Sequence, residues 1–167
     1  MSDRIWYFDN GVSTSALTLP IDFHQAVDDW TGLRKKMIRH VPDAFTRDEW
    51  AYLVTFLETD NLLHPFRTSF GEPASKPSGL PKLLYRPRGP FAVWLPNNVS
   101  LLGPLTLVLL SLTGQPIRLK LGSAAEDLTG AFLDYAVANL PGGRLADALS
   151  NGVLAETFER DDPRHAE

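Results

Sequence analysis

Residues 86–128 read "RPRGPFAVWLPNNVSLLGPLTLVLLSLTGQPIRLKLGSAAEDL", and this stretch decides the fold. Phe91, Ala92, Val93, Trp94 and Leu95 form a continuous apolar run of the kind buried in a parallel sheet. Pro96, Asn97 and Asn98 break it, and residues 99–112 follow as an apolar helix that Gly114, Gln115 and Pro116 close. Residues 117–121 are the next strand. Ser123 and Glu126 stand at capping-box spacing and open a helix predicted to run to about residue 139, where Pro141, Gly142 and Gly143 stop it. A short helix over 144–149 and a strand over 153–158 complete the pattern. Strand, helix, strand, helix, strand implies an α/β fold: a Rossmann-like parallel sheet with crossover helices on both faces. Ligands of such sheets bind beyond the carboxyl ends of the strands. Two of those ends, at Pro96–Asn98 and at Lys120–Ser123, should open onto one edge.

Upstream, residues 82–86 are a short strand and Arg88, Gly89 and Pro90 a turn. Residues 68–81 are rich in Gly, Pro, Ser and Lys and read as a loop or boundary. Before them the period changes. Phe23, Ala26, Val27, Trp30, Leu33, Met37 and Ile38 recur at helical spacing over 22–40, opposite a face that carries Asp28, Asp29, Arg34, Lys35, Lys36 and Arg39. Acids come early and bases late, as the helix dipole prefers. Thr46 and Glu49 form another capping box, followed by Trp50, Leu53, Val54 and Leu57 on one stripe. Ile5, Trp6, Tyr7 and Phe8 are a candidate strand before the turn Asp9-Asn10-Gly11. The organisation expected is a mainly helical N-terminal region over 1–81, a Rossmann-like region over 82–160 and a polar tail over 161–167.

Composition narrows the function classes. The 167 residues suffice for an ordinary core. A formal net charge of −4 supplies no global field toward nucleic acid or anionic membranes, so no nucleic-acid partner is expected. The longest apolar region is broken by Ser100, Gly103, Pro104, Thr106 and Ser111 and is too short to span a bilayer. Met1-Ser2-Asp3-Arg4-Ile5-Trp6 has no secretory-leader pattern. The chain has no cysteine, hence no disulfide, no thiolate metal site and no cysteine nucleophile of its own. A cytoplasmic location is the expectation these features favour.

Several residues could carry chemistry. The amide of Asn97 or Asn98, at a strand-to-helix turn, can donate to a developing oxyanion; a plain turn and N-cap uses Asn equally well. Lys120, ending an apolar strand, can meet the ribose or phosphate of a nucleotide, or simply extend its cation to water. Ser123, at a helix start, can sit beside a phosphate or serve as an ordinary cap. His24, His40, His64 and His165 share no metal-ligand spacing, so no metal is assigned. The phosphate-cradling patterns GxGxxG and GxxxxGK[ST] and the nucleophile pattern GxSxG are absent.

Taken whole, residues 86–141 resemble the cofactor-binding segment of the aldehyde dehydrogenase superfamily. The likeness is greatest to its acyl-CoA reductase branch, related to the fatty-acid reductase subunit of bacterial luciferase systems. That family has a strand, a Pro-x-Asn loop, a hydrophobic helix, a Gly-Asn-like turn and a strand ending in Lys. Pro96 and Asn98 fall on the loop, Gly114 and Gln115 on the turn, and Lys120 on the lysine. The resemblance implies that Asn98 helps hold the oxyanion of the thiohemiacetal, that Lys120 contacts the adenosine ribose of NADPH or NADH, and that Pro96, Ser123 and Glu126 help frame the cofactor. Asn97 stands where the superfamily usually has Trp, Ser100 where it has Pro, and Gln115 where it has Asn.

The implied parent activity is nicotinamide-dependent reduction of an acyl-CoA or other acyl thioester to an aldehyde. The family places its acyl-accepting cysteine in a separate catalytic domain, so this chain is expected to be the front part of such an enzyme, inactive alone. A homo-oligomer, or a partner chain carrying the catalytic domain, would accommodate the missing cysteine. The alternatives are a non-catalytic nucleotide-binding module and a structural subunit without a cofactor.

Overall fold

A computed structural model of the chain describes residues 21–70, 90–96, 98–122 and 128–157. Three helices come first. Helix α1 (Phe23–Met37) starts at Asp22, whose carboxylate accepts from the backbone N–H groups of His24 and Gln25. This satisfies two donors that a helix start leaves unpaired. Its buried stripe is Phe23, Ala26, Val27, Trp30, Leu33 and Met37, while Ile38, the C-cap, is exposed.

Helix α2 (Arg47–Phe56) begins with the complete capping box of Thr46 and Glu49. Helix α3 (Thr59–Phe70) carries Pro65 in its interior and extends through residues 68–70, where composition favoured a loop. Buried Leu62 and Phe66 hold it on α1, with the Phe66 ring 4.7 Å from that of Phe23, and this packing carries the helix past Pro65.

The second part is a βαβααβ unit: β1 (Phe91–Trp94), α4 (Leu102–Ser111), β2 (Ile117–Lys120), α5 (Leu128–Asn139), α6 (Arg144–Gly152) and β3 (Val153–Glu156). The strands are parallel in the order β1-β2-β3, with Phe91, Ile117 and Val153 in one row and Trp94, Lys120 and Glu156 in another. A mixed α/β class is thus present. The expected strand over 82–86, the N-terminal run 5–8 and the tail 161–167 lie outside the described residues.

Helices on both faces are the expectation; among the described residues the helices pack on one face of the sheet. Ile117 and Leu119 are buried toward the helices, whereas Ala92, Trp94, Arg118 and Leu154 on the other face are exposed, Trp94 by 55% and Leu154 by 45%. The reason lies in the strand order. Strands added successively in one direction through right-handed crossovers carry all their connections on one side. The run Phe91–Leu95 is therefore a one-sided strand whose Trp94 faces outward.

Helix α4 begins at Leu102, three residues later than expected, and Val99 is 48% exposed. Pro104 explains the start. A helix from Val99 would hold Pro104 in its interior, where the ring clashes with the preceding turn; a start at Leu102 places it in the first turn, where no N–H is needed. Gly114, with φ of 69°, turns the chain from α4 toward β2 in a left-handed conformation that glycine adopts without strain.

One core joins the described parts. Trp30 of α1 is fully buried, stacks on Phe132 of α5 and donates through Nε1 to Ser111 Oγ of α4 at 3.1 Å. Trp50 of α2 donates through Nε1 to the Met37 carbonyl at 2.9 Å and meets Tyr135 edge-on. Each such ring satisfies its one polar atom while burying apolar surface that contributes about 1.5–3 kcal/mol.

Candidate functional site

Of the predicted site residues, Pro96, Asn98 and Lys120 are described, and they lie at or just past the carboxyl ends of β1 and β2. Leu95 N–H donates to the Lys120 carbonyl at 2.9 Å, and Leu121 N–H to the Glu156 carbonyl at 2.8 Å. The ladder thus continues one residue past each strand, and the chain departs from β1 and β2 on the same side. Pro96 and Asn98 are exposed in the loop leaving β1. Lys120 is half-buried at the end of β2, on the face opposite Ile117 and Leu119.

The register sets Lys120 between Trp94 and Glu156. Opposite charges thus face each other across the β2–β3 register, and Lys120 is not without partners in the structure. Ser123 and Glu126, the remaining predicted contacts, lie outside the described residues, as does Asn97.

The N-cap reading of the asparagines is not met by Asn98. The N-cap of α4 is Leu101, with φ −88° and ψ −8°, and no side chain caps that helix. The Asn98 amide thus lies in a turn upstream of a helix start that has no side-chain acceptor of its own. The Asn98 amide can supply a donor to an anionic ligand group.

One contact of this loop was not foreseen. Ser100 Oγ donates to Glu49 Oε1 at 2.8 Å, linking the approach to α4 with the first turn of α2. The other carboxylate oxygen, Oε2, accepts from Thr46 N–H at 3.0 Å and from Thr46 Oγ1 at 2.8 Å. The Thr46 backbone bond, the Thr46 hydroxyl and then Ser100 hold the Glu49 carboxyl below its ordinary range, against a weaker opposing effect of burial. The spacing of Thr46 and Glu49 signals the capping box; nothing local signals a partner 51 residues away.

Among the described residues no group of three or more His, Asp or Glu side chains is arranged to hold a metal ion. No helix among them is long and apolar enough to cross a membrane. No family model, curated protein or solved structure matches the chain.

Proposed function

We propose that the chain is the nicotinamide-cofactor-binding part of an acyl-CoA reductase, which turns an acyl thioester into an aldehyde. The observation that carries this reading is the parallel register that brings the Pro96–Asn98 loop and the Lys120 strand end to one edge of the sheet. The order β1-β2-β3 with helices on one face is also that of the first half of a doubly wound dinucleotide-binding sheet.

The donor set suits NADPH or NADH. Lys120 would hold the adenosine ribose, and Ser123 and Glu126 the adenosine end, with Pro96 shaping the loop. Asn98 would direct its amide N–H to the substrate oxygen as negative charge develops there. The bound cofactor supplies a hydride. The acyl-accepting thiolate must come from outside these 167 residues, which contain no cysteine.

Calorimetric titration with NADPH and NADH tests the reading. Saturable binding is expected, weakened about tenfold or more in Lys120→Ala, the worth of a hydrogen bond to a charged group. Absence of binding to either nucleotide, or equal affinity in Lys120→Ala, contradicts it.

A second reading, a subunit that acts by association, is favoured by the outer sheet face. Exposed Trp94, Leu154 and Ala92 there surround Arg118. Parallel sheets are ordinarily covered on both faces, so this face suits a partner. Association in sedimentation experiments that is indifferent to nucleotide would select this reading over the first.

A further inference from the structure

We propose that Ser100 and Glu49 are positioning residues: their hydrogen bond is a clasp by which the N-terminal helices fix the loop leaving β1, and with it the carboxyl edge of the sheet. The value of that edge as a cofactor site rests on the reading above; the clasp itself rests on geometry. Between Leu95 and Leu101, which pack on the core, the described residues of the loop have few other ties. Pro96, Asn98 and Val99 are exposed, α4 has no side-chain cap, and the backbone bond from Leu102 N–H to the Val99 carbonyl is long at 3.4 Å.

Against this, the Ser100 bond is short, at 2.8 Å, and partly buried, and its acceptor is charged. Hydrogen bonds of that kind are the strong ones. The acceptor is also immobilised. Glu49 sits in the first turn of α2 with its second oxygen committed to Thr46, so it offers Oε1 from a fixed position. Ser100 is spared from capping α4 and lies two positions beyond Asn98. The clasp therefore restricts the short segment that carries the Asn98 amide. Glu49 and Ser100 bond to each other and Glu49 to Thr46, so the role proposed for them is exerted through the loop.

The test uses the full chain and the variants Ser100→Ala and Ser100→Thr. Ser100→Ala removes the clasp and leaves the Thr46–Glu49 capping box whole; Ser100→Thr keeps a hydroxyl. Amide hydrogen exchange over residues 99–102 should quicken about tenfold in Ser100→Ala, the scale of one lost charge-assisted bond. Amides of α2 should stay as in the parent, and Ser100→Thr should restore slow exchange. NADPH affinity should fall in Ser100→Ala and recover in Ser100→Thr. Unchanged exchange over residues 99–102 overturns the clasp. Faster exchange with undiminished NADPH affinity overturns its positioning role. If the parent chain binds no nucleotide while Ser100→Ala still quickens loop exchange, the cofactor reading falls and the clasp stands.

Discussion

Gly103 shows how much can depend on one missing side chain. It lies in the first turn of α4, and a Cβ there would run into Oγ1 and Cβ of Thr129 on α5 and come within 3.1 Å of Leu95 Cδ1. Thr129 is itself buried, so it has no free space to yield into. Gly103→Ala should therefore destabilise the chain by about 1–3 kcal/mol, the usual cost of overpacking, despite the better helix propensity of Ala. Urea denaturation checks this, and an unchanged midpoint would show that α4 and α5 can separate at no cost. In the sequence Gly103 is merely an interruption of an apolar run; its role exists only once α5 is laid against α4. The same limit applies to Ser111, whose partner Trp30 is 81 residues away. The place of Lys120 at its strand end, by contrast, was legible, because the alternation of Ile117, Leu119 and Leu121 stops at Gly122. The exposure of Trp94 was not, because an apolar run does not say which of its residues face helices.

At the scale of elements, starts were read more faithfully than faces. The Thr46–Glu49 box marks the start of α2 because a cap is a contact within four residues. The apolar run points to a start of α4 at Val99, but Pro104 fits only a first turn, and the helix begins at Leu102. The capping box also makes α2 sensitive to acid. Its bonds hold the folded-state pKa of Glu49 below the ordinary range, so the carboxylate contributes stability that is fully present above that range. That contribution is lost as pH falls through the folded-state value. Glu49→Gln keeps a capping-box side chain and does not titrate. Urea unfolding from neutral pH downward should show the parent's advantage over Glu49→Gln shrinking below the ordinary glutamate range. Curves that stay parallel would mean that the charge of Glu49 does not support the folded state.

At the scale of the whole molecule, the α/β class and the parallel strands were legible because alternating apolar periods leave few topologies. The face that the described crossover helices take was not, because one-sided and two-sided crossovers share the same alternation and differ only in strand order. Among the described residues that order gives the sheet one helix-covered face, one face without a helix and a carboxyl edge at which Asn98 and Lys120 both lie. The central claim is that this edge receives a nicotinamide dinucleotide. The measurement that tests it most directly is an amide chemical-shift titration of the isotope-labelled chain with NADPH. The account predicts saturable shifts concentrated at residues 95–102 and 120–122, with the amides of α3 and of the Ile117 end of the sheet unmoved. No saturable shift, or shifts centred on α3 or on the opposite end of the strands, would contradict it.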